Sequence, residues 1–154
     1  MQIKKNFFIF IFIIIVFLAT GFFLINHSPK NFEPEDIKYV EIARKTLKVG
    51  IALTKEEQKE GLSGKDILRD DEGMLFVFSN PEKYAFWMKN MNFPIDIIWI
   101  GEDLRVIYVK KDARPESYPE VFVPTENATY VLEVISGFVE KNNLEVGEKV
   151  KFLP

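Results

Sequence analysis

Two carboxylates sit where carboxylates are costly. Asp96 is the one polar residue in Ile95-Asp96-Ile97-Ile98-Trp99-Ile100, and Glu133 interrupts Tyr130-Val131-Leu132-Glu133-Val134-Ile135 on the alternating face of Val131 and Ile135. A buried carboxylate must be paired, hydrogen-bonded or protonated, because an isolated buried charge is very unfavourable. Lys89 closes the apolar stretch Tyr84 to Met88, Asn90 follows it, and Lys65 lies in a Ser-Gly-Lys loop. The economical arrangement gathers Lys89, Asn90, Asp96 and Glu133 into one network, with Lys65 within its reach. Phe86, Trp87 and Met88 read first as a core strand, and Trp87 is the aromatic candidate for a ligand platform beside the network.

Such a set admits three chemistries. It can be structural, with Lys89 snorkelling, Asn90 turning the chain before Pro94, Asp96 capping that turn and Glu133 balancing Lys89, since polar groups of this kind fix strand register without binding anything. It can line a pocket for a small polar ligand such as a sugar. It can also catalyse. Asp96 and Glu133 would serve as acid and base on a glycan if their carboxyls stood roughly 5 to 9.5 Å apart, and Lys89 with a lowered pKa would be a base or nucleophile.

Composition narrows the field. The chain has 154 residues, 20 basic and 23 acidic, with no cysteine and one histidine, His27. Zero cysteine removes disulfides, thiolate zinc sites, iron–sulfur clusters and cysteine nucleophiles. A lone histidine beside an apolar run removes histidine-based triads and HExxH zinc sites. The acidic excess leaves no basic patch for nucleic acid. Asp66, Asp70, Asp71 and Glu72 before Gly73 lack the alternating order of a calcium loop and read as a solvated turn. No metal or cofactor is expected.

The elements that must position these residues are short strands. Leu47, Val49, Ile51 and Leu53 alternate with Thr46, Lys48, Gly50 and Ala52, a period of two. Ile37 to Ile42 pairs with them. Thr54-Lys55-Glu56-Glu57 is a capping box, and Gly61 stops the brief helix it opens. Met74 to Phe78, Tyr84 to Met88 and Ile95 to Ile100 follow as strands, and Gly101-Glu102-Asp103 turns into Leu104 to Val109 as a hairpin. Lys111 to Asn127 holds Pro115, Pro119 and Pro124 and reads as a long loop, a lid or a partner surface. Ala128 to Ile135 and Glu148 to Phe152 complete the set. The expected fold is mainly β, a compact antiparallel sandwich or barrel with one or two short helices.

Ahead of this domain (37–154) stands Phe7 to Ile25, nineteen uncharged residues of which sixteen are Leu, Ile, Val or Phe. As a helix it spans roughly 28 Å, the hydrocarbon thickness of a bilayer, and its insertion is favoured by very roughly 5 to 10 kcal/mol. The sequence predicts a membrane anchor over 1–25 that meets the lipid bilayer through residues 7–25, and a polar linker over 26–36. Lys4 and Lys5 put the N-terminus in the cytoplasm and the domain outside it; cleavage near Ala19-Thr20-Gly21 would instead release a secreted domain.

One ordered set of motifs carries a resemblance. Gly61-Leu62, Gly73-Met74-Leu75-Phe76-Val77-Phe78, Phe86-Trp87-Met88-Lys89-Asn90, Pro94-Ile95-Asp96 and Val131-Leu132-Glu133 with Gly137 follow one another in a way that resembles the prokaryotic family known only as domain of unknown function 192. The resemblance covers roughly Ile37 to Phe152. It implies a compact, mainly β fold, often behind a signal or anchor, and a pocket candidate without a settled activity. Two positions depart from the family pattern: Lys65 stands where an arginine is usual, losing the planar two-point fork, and Met91 replaces the usual threonine.

Overall fold

The computed structural model describes residues 33–154. The apolar segment 7–25 and residues 26–32 of the expected linker lie outside the described residues. Among the described residues no helix is long and apolar enough to cross a membrane.

Nine strands and two short helices make up the domain. After a 3-10 turn at Pro34–Asp36 come β1 (Tyr39–Ile42), β2 (Lys45–Ala52), helix α1 (Lys55–Glu60), β3 (Glu72–Glu82), β4 (Phe86–Trp87), β5 (Ile95–Ile100) and β6 (Val106–Ala113). Then follow β7 (Val121–Phe122), β8 (Ala128–Ile135), helix α2 (Phe138–Lys141) and β9 (Lys151–Leu153). Seven strands form one sheet in the order β6-β5-β8-β3-β2-β1-β9, and β4 and β7 form a separate two-stranded ribbon.

The sheet curls into a half-barrel. Residues 147–150 hydrogen-bond to the start of β6, with Val106 N–H donating to the Glu148 carbonyl at 2.9 Å and Val150 N–H to the Leu104 carbonyl at 2.8 Å. The next residues, β9, pair with β1. One short segment thereby spans from one edge of the sheet to the other at that end, which leaves less exposed edge.

Adjacent strand residues point to opposite faces, and both faces are covered. Ile98, Ile100, Leu132 and Val134 join Val40, Leu47, Leu75 and Val139 of α2 in one core cluster. Ile95, Ile97, Trp99 and Val131 join Phe76, Phe86, Met88 and Phe122 in a second, under the β4–β7 ribbon. Double coverage explains why all six residues of β5 are buried and why its sequence reads as an unbroken apolar run around Asp96.

Three expectations need correction. The sheet is not wholly antiparallel: β2 and β3 run parallel, Val49 opposite Gly73 and Ile51 opposite Leu75. Residues 53–71, including α1, form the long crossover that a parallel pair requires. Tyr84 to Met88 yields only the two-residue β4, whose partner is β7. Lys111 to Asn127 is not a single free loop, because its first residues extend β6 and Val121–Phe122 are the strand that pairs with Phe86 and Trp87. The capping box forms as read: Thr54 Oγ1 accepts from Glu57 N–H at 3.2 Å, and Glu57 Oε2 accepts from Thr54 N–H at 2.9 Å.

Candidate functional site

Glu133 is fixed by register. On β8 it lies between Met74 of β3 and Ile97 of β5, on the outer face that carries Val131. Its residue is 5% exposed, and its Oε2 has no hydrogen-bond partner among the described residues. Loss of water with no compensating charge penalises the ionised form, and burial pushes the carboxyl from its ordinary 4.5 up to about 8. At neutral pH the group holds its proton.

The carboxyl is buried without being sealed off. A cavity of about 210 Å³ reaches it, lined by the end of α1 (Gln58 to Gly61), Leu62 and Ser63, Phe76 and Phe78 of β3, Tyr84 to Trp87, and Met91. Gly61 makes this closeness possible. It ends α1 at φ +52°, and a Cβ there would stand 3.1 Å from Phe76 Cζ and 3.8 Å from Glu133 Oε2. The aromatic wall is braced: Phe76 and Phe86 meet edge to face at 4.9 Å, Phe86 meets Trp99 at 5.7 Å, and Phe78 stacks on Tyr84 at 3.5 Å. Burial and the nearby Glu82 raise the Tyr84 phenol above its usual range, with burial the larger cause.

Asp96 lies elsewhere. It pairs with Val134, whose side chain belongs to the inner cluster, whereas the adjoining pair Ile97 and Glu133 faces outward. The two carboxylates are therefore on opposite faces of the sheet, and a hydrolytic acid–base pair made of them does not form. Both oxygens of Asp96 are occupied: Oδ1 accepts from Asp112 N–H and Oδ2 from Val139 N–H, each at 2.9 Å. Val139 is in the first turn of α2, which packs on the same face of the sheet, so Asp96 caps that helix and stabilises an otherwise orphaned N–H.

The remaining candidates divide. Trp87 is 45% exposed and lines the Glu133 cavity. Lys89 and Asn90 are exposed and line an adjoining groove with Trp87, Glu56, Lys59, Glu60 and Ser63. Asn90 takes the left-handed conformation at φ +57°, a geometry asparagine tolerates. Its carbonyl accepts from Gly64 N–H at 2.9 Å, and the Lys89 carbonyl accepts from Ser63 Oγ at 3.0 Å. Lys65 is exposed and contributes its carbonyl to Asn92 Nδ2 at 2.9 Å. The four-residue network is thus not assembled: Glu133 has neither Lys89 nor Asn90 as a partner. The pocket residues missed in the sequence, Phe76, Phe78 and Tyr84, carried one local signal, the same-face spacing of Phe76 and Phe78. What they face depends on β3 lying beside β8.

Comparison with known proteins agrees with this architecture. The family model for DUF192, described as "Uncharacterized ACR", matches residues 38–152. The chain belongs to that family. No curated protein matches it. A crystal structure of a protein of unknown function from Novosphingobium aromaticivorans is similar, with TM-score 0.71 and 31% identity over 75% of this chain and 84% of that one. So is a putative transcription regulator from Sinorhizobium meliloti, with TM-score 0.69 and 26% identity over 74% of this chain and 90% of that one.

Proposed function

We propose that this DUF192 member is a membrane-tethered, extracytoplasmic binding domain that receives a small ligand in the aromatic pocket over Glu133. One observation carries the reading: a carboxyl that is 5% exposed, with an unpartnered Oε2, borders an open cavity. Buried polar atoms in folded proteins are nearly always satisfied, so an orphan that a cavity reaches suggests a partner from outside the chain. The tether rests on the apolar run at 7–25 and on Lys4 and Lys5.

Glu133 alone, held protonated near neutrality, has the proton a general acid needs, but the second carboxylate that hydrolysis would use is on the other face of the sheet. Binding is therefore the better supported reading. A thermal-shift screen of the full-length chain in mild detergent tests it. A true ligand at about 100 times its dissociation constant adds about 2.7 kcal/mol of stability, and the Glu133→Gln variant should not respond. Stabilisation that persists in that variant would place binding elsewhere. Protease digestion of spheroplasts tests the topology: protection of the domain when protease reaches the outer side of the cytoplasmic membrane would rule out an extracytoplasmic location.

A further inference from the structure

The buried part of the Glu133 pocket has few hydrogen-bonding groups left over. Three of the side-chain donors on its wall are committed to backbone carbonyls: Gln58 Nε2 to Leu53 at 3.2 Å and Val77 at 2.8 Å, Ser63 Oγ to Lys89 at 3.0 Å, and Tyr84 OH to Asn80 at 2.6 Å; the others, Lys59 Nζ and Trp87 Nε1, belong to exposed residues. Among the buried lining residues, what is left for a ligand is the unpartnered Glu133 Oε2 and the surfaces of Phe76 and Phe86, with the exposed Trp87 beside them.

Those surfaces discriminate between ligand classes. An anion would face a carboxyl, with Lys59 the one lining cation and Glu60 next to it. A sugar needs donors as well as acceptors around its hydroxyls, and the uncommitted side-chain donors on this wall lie on the exposed Lys59 and Trp87. A cation gains from both features present, since aromatic surfaces attract positive charge and a desolvated carboxylate gains most from a direct partner.

We infer that the ligand is a small organic cation, a primary or methylated ammonium, whose charge pairs with the Glu133 carboxylate and whose carbon body lies against Phe76, Phe86 and Trp87. This rests on the binding reading above and narrows it to one chemical class.

A proton signature follows. Glu133 is protonated in the free protein near neutrality, so a cation entering the pocket displaces that proton to solvent. Few other groups interfere. The end of α1 contributes Lys59 and Glu60, of opposite sign; the segment before β4 contributes the Tyr84 phenol; the neighbouring strand positions Met74, Phe76 and Ile97 contribute no ionisable side chain.

The test titrates propylammonium and tetramethylammonium into full-length protein carrying 13C at glutamate carboxyls and methionine methyls, with glucose and acetate as neutral and anionic probes. The cations should shift the Glu133 and Met91 signals. Their dissociation constants should fall by about tenfold per pH unit up to about 8 and level off above it. Glu133→Gln should abolish both effects, but the wild-type pH profile reads the carboxyl directly, so the result does not depend on that variant folding. Glucose or acetate shifting these signals while the cations stay silent would overturn the cation class and leave the pocket reading standing. Silence from all four probes would overturn both.

Discussion

Replacing Glu133 with glutamine should change how stability depends on pH more than it changes stability at any single pH. In the unfolded chain the carboxyl ionises near its ordinary 4.5, whereas in the folded domain burial holds it protonated to about 8. The folded state therefore binds the proton more tightly, and stability is full below 4.5 and declines as pH rises. The decline runs at up to about 1.4 kcal/mol per pH unit and ends just above the folded value, for a total of about 5 kcal/mol. That is a large fraction of the roughly 5 to 15 kcal/mol by which domains are stable. Glutamine has the same shape and cannot ionise, so any constant difference from its amide cancels when the two proteins are compared across pH. Urea denaturation of both full-length proteins, followed by the fluorescence of buried Trp99 and exposed Trp87, should give curves that converge near pH 4 to 5 and diverge towards about pH 9, with wild type losing. A difference flat to within about 1 kcal/mol over that range would mean that the carboxyl is not desolvated as the geometry requires.

Other perturbations separate structural from binding roles. Asp96→Ala removes the acceptor that caps α2 at Val139 and the one that holds Asp112 of β6, leaving two backbone N–H groups unpaired, so a loss of about 3 kcal/mol by urea denaturation is expected, with a ligand's affinity at Glu133 unchanged. Thr54→Ala breaks half of the capping box and should cost about 1 kcal/mol by the same measurement. Gly61→Val places a branched side chain where a Cβ already meets Phe76 at 3.1 Å with φ at +52°, and should lower the melting temperature and abolish binding together.

Much of the fold was legible because it is local. The alternation in β2, the Thr54–Glu57 box with Gly61 after it, and the unbroken apolar run of β5 each depend on neighbours within a few residues, and each appears in the structure over nearly the boundaries read. The same local rule marked Asp96 and Glu133 as unusual. It could not say that they differ, because a polar residue in an apolar strand looks alike whichever face it takes.

What the sequence determined by itself was therefore the mainly β class, the helix stops, the resemblance to DUF192 and the cost of two buried carboxylates. Tertiary structure alone decided their fates. The pairing of β5 with β8 sets Ile97 opposite Glu133 and Asp96 opposite Val134, and so sends the two acids to opposite sides of one sheet. Asp96 finds donors 16 and 43 residues away in sequence, whereas Glu133 finds none and meets a cavity framed by α1, β3 and β4. Partners so distant along the chain leave no local pattern, because the contact exists only after strand order and register have been set.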